Sequence, residues 1–455
     1  MMLAAAGVLL PIASMFCVVG LVQDGGRWPR LWRCAVAAGV GSGLAALLWG
    51  AMLAAGLSSG VAVTLDAIIW TTVGAAALFT RVRRPAGRSV EMTPSRTVST
   101  FLALALFLAV AAIAATAFYG QASVFPHGNW DAWAIWNLKA RFLARGAADG
   151  AWREVFSPVI GWSHPDYPLL LPWLVARGWA YAGRETVAVP IAYSALFSVA
   201  LVAILTVSVA RLQGVTAGLL AGAFLLAAPA FVTYAPVQCA DVPLAFFYLL
   251  TIALAAEAER SRSGGAWLLA GAAAGLAMWT KNEGAAFWLI SAGALGTAAL
   301  RGGTGRPLRG PALFLTVSLP LVAALIAFKT SIGLSNDVVN TTTAGMLWAR
   351  LADTDRVVLV LSAIGRELWF GGAEWVGVLP VLGLYLLAQG WTRPIEAVVA
   401  RAGVIVVLTL AVYTAVYLAT PHDLAWHLRT SLDRVILQLL PTVIWLGCLL
   451  TRDAL

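Results

Sequence analysis

Runs of about twenty consecutive apolar residues recur along the whole chain, and they decide which folds are open to it. A helical stretch of that length matches the hydrocarbon core of a bilayer. The runs cover roughly 3–22, 34–57, 60–80, 98–119, 186–210, 214–232, 242–257, 266–280, 284–300, 311–330, 371–390, 402–419 and 435–450. In lipid, each backbone polar group must be bonded within its own segment, so such runs are helices. The expectation is an all-α polytopic membrane protein with about 13 transmembrane helices. A long first outer loop, 120–167, carries amphipathic helices. The chain divides into N-terminal spans (1–97), a membrane core (98–330) and C-terminal spans (331–455).

Composition agrees. Of 455 residues, 61% are apolar and 11% charged, where a soluble domain has about 25% charged. An ordinary soluble enzyme, a disordered chain and a nucleic-acid-binding domain are excluded despite a net charge of +9. The four cysteines sit in or beside apolar runs, so no disulfide framework is expected. No basic segment precedes residues 1–22 and no small-residue cleavage site follows, which marks a retained first span. There are 27 arginines and only 3 lysines. That bias points to a GC-rich bacterial genome, and it makes each lysine worth locating.

The charges set an orientation. Loops holding Arg27, Arg30, Arg33, the arginines of 81–96, Arg211, Arg260, Arg262, the arginines of 301–309, Arg393, Arg401 and Arg452 carry 17 basic residues against six acids. Basic loops stay in the cytoplasm. The N-terminus is then outside and the C-terminus inside a bacterial cytoplasmic (inner) membrane, and Asp66 is the one acid well inside a span. The polar segments 120–167, 233–241, 281–283, 331–356 and 420–434 all fall on the outer, periplasmic or extracellular face.

Those segments hold the candidate chemistry. The first contains His127-Gly128-Asn129-Trp130-Asp131-Ala132-Trp133, then an amphipathic helix to about Arg145. Its tryptophans read as interface anchors. Asp131 is either a helix cap or an acid put to use, since a carboxylate at that depth is costly otherwise. The loop ends Ser163-His164-Pro165-Asp166-Tyr167-Pro168. Asp166 is a turn residue or, with His164 and Tyr167, part of a polar site. Asp241 opens the next outer mouth, as a cap or as a functional carboxylate. Lys281 and Glu283 share a tight turn, where the lysine pairs with its neighbour or faces a phosphate. The stretch 420–434 holds His422, His427, Arg429 and Arg434. On a helix, His427, Ser431 and Arg434 share a face and Arg429 points elsewhere.

An outer-loop Asp, His-Pro-x-Tyr-Pro-Leu, Asp-x-Pro-Leu and Thr-Lys-x-x-Gly occur in that order over roughly 98–300. This resembles the GT-C class of membrane glycosyltransferases, in the branch with protein O-mannosyltransferases and lipid A aminoarabinose transferases. The resemblance implies a GT-C-like fold and a polyprenyl-phosphate sugar donor, with a glycan or lipid acceptor at the outer face. Residue by residue it matches Asp131 to the catalytic acid of the first outer loop, Asp241 to a second outer acid and Lys281 to a lysine near the donor phosphate. The chemistry of the transfer then gives the expected roles: Asp131 as base with Asp241 and Asp166 in the catalytic set, and Lys281 with Arg429 or Arg434 as donor-phosphate ligands. His164, Tyr167, His422, His427 and Glu283 are then substrate-binding. Many relatives carry two adjacent acids in the first loop, where Asp131 stands between Trp130 and Ala132. No cofactor is certain. A divalent metal, if present, has Asp131, Asp166 and His164 as candidate ligands. The other reading is a secondary transporter or lipid-linked sugar flippase, which would place ionisable groups near the midplane and show internal repeats.

Overall fold

The computed structural model describes residues 2–22, 29–83, 97–147, 149–301, 309–333, 343–371, 377–391 and 396–451. Much of the charge pattern of the expected cytoplasmic loops, including Arg27, Arg84, Arg88, Arg96, Arg306, Arg393 and Arg452, and residues 334–342 of the outer segment 331–356 lie outside them. Four long helices come first: α1 (Met2–Val22), α2 (Arg30–Ala54), α3 (Ser59–Val82) and α4 (Val98–Val124). The loop segment follows with α5 (Asn137–Arg145), then α6 (Leu170–Ala182). Next are α7 (Ala188–Gln213), α8 (Val215–Ala227), α9 (Pro229–Tyr234), α10 (Asp241–Ser261), α11 (Gly264–Thr280), α12 (Glu283–Arg301) and α13 (Arg309–Ile332). The chain closes with α14 (Ala344–Ala352), α15 (Thr354–Phe370), α16 (Val378–Gln389), α17 (Ala397–Ala419) and α18 (Leu424–Leu449). Among the described residues the only β feature is one isolated bridge, Trp391 to Thr451.

The protein is an all-α polytopic membrane protein. Nine described helices are long and apolar enough to cross a bilayer: α1, α2, α3, α4, α7, α10, α13, α17 and α18. The expected thirteen is not reached among the described residues. The run at 214–232 is cut where Pro229 starts α9, leaving α8 with 13 residues. The runs at 266–280 and 371–390 yield α11 of 17 residues and α16 of 12. Conversely α6, outside every long run, is buried nearly end to end.

The bundle is arranged around α10. That helix is enclosed by α2, α7, α11 and α18, and Leu244 through Leu250 are fully buried. Apolar side chains gain little from leaving lipid for a helix interface, so close approach has to hold the helices together. Gly39 and Gly43, four apart on α2, supply it: a Cβ would strike the Phe246 ring of α10 at the first and Leu276 of α11 at the second. By contrast α4 buries only Thr100, Ala103 and Ala122.

Charge is segregated along this core. Near the C-terminal end of α10, Glu257 pairs with Arg211 at 3.0 Å, Glu259 with Arg401, and Arg260 with Glu396 at 2.7 Å. Asp241 starts the same helix, about 24–29 Å away at 1.5 Å per residue. The expected inner arginines and the expected outer acid therefore lie at opposite ends of one helix. Asp66 of α3 is fully buried and is matched by Arg177 of α6 (Nη2 to Oδ2, 2.5 Å) and the Tyr181 hydroxyl (2.6 Å).

Candidate active site

Asp241 is the hub of the polar end. It occupies the first turn of α10 but caps nothing. Its carboxylate is fully buried and takes four hydrogen bonds. Oδ1 accepts from Lys281 Nζ at 3.0 Å and Gln438 Nε2 at 2.7 Å; Oδ2 accepts from Arg434 Nε at 2.9 Å and Nη2 at 2.8 Å. Gln438 is itself oriented, because its Oε1 accepts from the Tyr413 hydroxyl at 2.7 Å, and Tyr413 bonds Tyr248 at 3.0 Å. A single donor would not offset the burial of a carboxylate, whereas a full set does.

Two branches leave the hub. The third guanidinium nitrogen of Arg434, Nη1, meets Asp131 Oδ2 at 2.5 Å. Asp131 precedes a short π-helical turn, Ala132–Trp136, and also makes no cap bond. Its side chain keeps 23% of its surface exposed, where Asp241 keeps none. The other branch is Lys281, which also meets Glu283 at 2.7 Å. Burial works against the Lys281 charge, but Asp241 and then Glu283 outweigh it and hold its pKa above the ordinary lysine value. The turn that presents Lys281 needs Gly284, since a Cβ there would collide with the Ala277 carbonyl.

A second cluster adjoins the first through Asn282. Its amide donates to Asp166 Oδ2 at 2.6 Å and accepts from Lys329 Nζ at 2.5 Å. Beneath it, Lys139 donates to the His164 carbonyl at 2.5 Å. His164 takes a left-handed backbone, φ 50°, and its ring stacks on Tyr167 at 4.7 Å. Trp136 stacks on Tyr167 at 5.6 Å. Lys139 is fully buried, and its pKa is pushed down to about 7, chiefly by burial, with Asp166 opposing and Lys329 reinforcing. All three lysines of the chain thus gather at this end.

The structure brings Asp131, Asp241, Lys281, Glu283 and Arg434 into one network, with Asp166, His164 and Tyr167 alongside. His427, His422 and Arg429 lie at the head of α18, where His427 feels the charges of Lys281 and His164. His427 Nδ1 lies 3.1 Å from Thr420 Oγ1, and His422 and Arg429 are exposed. Of the loop tryptophans, Trp130 and Trp133 are exposed but Trp136 is buried in the site's wall, so it is no interface anchor. Asp131, Asp166 and His164 do not converge as metal ligands: Asp131 is bound to Arg434 and Asp166 to Asn282. Among the described residues no three His, Cys, Asp or Glu side chains come together to hold an ion. The sequence reading missed Gln438, Asn282, Lys139 and Lys329. The scarcity of lysine was the signal that could have found the last two.

Residues 164–328 match the family described as dolichyl-phosphate-mannose-protein mannosyltransferase. The match supports membership of a GT-C-like glycosyltransferase family. In general terms it supports enzymatic activity for this membrane protein. The matched segment contains Asp166, Asp241, Lys281 and Glu283, while Asp131, Lys139, Lys329 and Arg434 lie outside it. No match was found among curated proteins or among solved structures.

Proposed function

We propose that the protein moves a sugar from a polyprenyl-phosphate donor to a hydroxyl of a glycan or lipid acceptor, at the outer face of a bacterial cytoplasmic membrane. The observation that carries this reading is the contrast between two carboxylates on one arginine. Asp241 is fully buried and bonded at both oxygens. Asp131 is part exposed and engaged through Oδ2 alone among the described residues. Asp131 is thus the group able to accept a proton, and Asp241 the group that holds Arg434 and Lys281 in place.

In this reaction the acceptor oxygen forms a bond to the anomeric carbon, and the bond from that carbon to the phosphate oxygen breaks. The hydroxyl proton passes to Asp131, and the electron pair leaves on the polyprenyl phosphate. A phosphate is a good leaving group, so no carboxylic acid has to protonate it, unlike the ether oxygen of an ordinary glycoside. Attack opposite the leaving group inverts the anomeric centre. Arg434 fixes the Asp131 carboxylate so that its geometry is set before the acceptor arrives.

Purified protein in lipid is offered a panel of polyprenyl-phosphate sugars with glycan and lipid acceptors, and product mass is recorded. One donor is expected to yield transfer, and Asp131→Asn is expected to lower that rate at least about 100-fold with folding unchanged. Full activity in Asp131→Asn would remove the base assignment. No transfer from any donor by folded protein would favour the transporter reading.

A further inference from the structure

The two halves of the polar end carry opposite charge balances. In the hub, Lys281 and Arg434 face Asp241, Glu283 and Asp131: two cations against three carboxylates, all in direct ion pairs. An incoming anion finds no uncompensated charge there. Across Asn282 the balance reverses. Lys329 bonds only to the neutral amide oxygen of Asn282, and Lys139 only to a backbone carbonyl. Neither forms an ion pair with a described residue; Asp166 acts on both from a distance, and Glu283 on Lys329 as well.

We propose that Lys329, with Asn282 beside it and Lys139 beneath it, is the anion subsite of this protein and receives the phosphate of a prenyl-linked ligand. This rests on the polyprenyl-phosphate reading above and deepens it. Lys281 and Arg434, named as phosphate ligands from the sequence, instead hold carboxylates. Lys329 makes the contact, because it is half-buried; Lys139 is wholly covered and, with a pKa of about 7, adds only a part charge at neutral pH. The subsite is reached from the lipid. Lys329 lies in the last turn of α13, and Ile326, one turn earlier, is 57% exposed. A prenyl chain lying along the apolar face of α13 would end with its phosphate at Lys329. The ammonium could leave Asn282 for a phosphate oxygen, exchanging a neutral acceptor for a charged one, which makes the stronger bond.

The test uses the full chain in nanodiscs and measures affinity for undecaprenyl phosphate against undecaprenol, with inorganic phosphate as competitor. The native protein is expected to prefer the phosphate over the alcohol. Lys329→Gln is expected to cut that preference about tenfold, the scale of one lost charged hydrogen bond, and Lys329→Arg to keep most of it. Asn282→Asp leaves Lys329 in place but pairs it with a carboxylate, and is expected to cause the same loss. An unchanged preference in Lys329→Gln or in Asn282→Asp overturns the subsite and leaves the donor reading intact. Native protein that does not distinguish phosphate from alcohol overturns both. Inorganic phosphate that competes as strongly as the lipid overturns the lipid-borne source.

Discussion

Asp131 and Asp241 share an arginine yet differ in what a substitution should do. Asp131→Asn removes a proton acceptor from a part-exposed position, so activity falls and the fold survives. Asp241→Asn removes the charge that compensates two buried cations. Its expected cost is about 3–5 kcal/mol of stability, read as a lower unfolding temperature of the purified protein. Gln438→Leu tests the same hub more gently. It withdraws one of four donors and takes away the acceptor of the Tyr413 hydroxyl, which keeps only Tyr248, for an expected loss of about 1–3 kcal/mol. The acids, Lys281 and Arg434 were legible as candidates because charge is scarce in such a chain. Gln438 was not, because one amide inside the run 435–450 changes its hydropathy little. Asn282 was passed over between two charged neighbours, although it joins the two clusters.

At the level of elements, long apolar runs announced the long helices, and the breaks between them were harder to see. Pro229 divides a run that reads as continuous, and α6, the helix entered at His-Pro-x-Tyr-Pro-Leu, is missing from the long runs because Arg177 interrupts its apolar stretch. That arginine is satisfied by Asp66 on α3, a partner 111 residues away in sequence, so local hydropathy carries no sign of it. The turn between α11 and α12 was legible as Thr-Lys-x-x-Gly, and the structure adds why its last residue is glycine. Gly284→Val is expected to push the turn off the Ala277 carbonyl and displace Lys281 from Asp241. The overpacking should cost about 1–3 kcal/mol, and the predicted sign is transfer activity lost ahead of global unfolding, checked by assaying both on one preparation.

For the whole molecule, charge is separated along α10, with Arg211, Arg260 and Arg401 at one end and Asp241 at the other. A pH effect also belongs at this scale. Lys139 has a folded pKa of about 7, below its unfolded value near 10.4. Between those values the unfolded chain binds more protons, so stability rises with pH. Below about 7 both states are protonated and the cost of burying the charge is present in full. Unfolding temperature is therefore expected to climb from pH 7 toward 10 more steeply in the native protein than in Lys139→Met. Equal slopes would mean that Lys139 stays charged in the fold.

The partners of Asp241 come late in the chain: Lys281 is 40 residues downstream and Arg434 is 193. A ribosome feeding this polypeptide into a membrane therefore releases the acid long before its guanidinium partner exists. Until α18 is inserted, the nascent protein carries a half-neutralised carboxylate at the mouth of its central helix. α18 thus supplies the partners that complete the hub. A chain stopped before Leu424 would retain the residues matched to the glycosyltransferase family and still lack a closed hub, exposing to quality-control proteases an end that the finished protein keeps sealed.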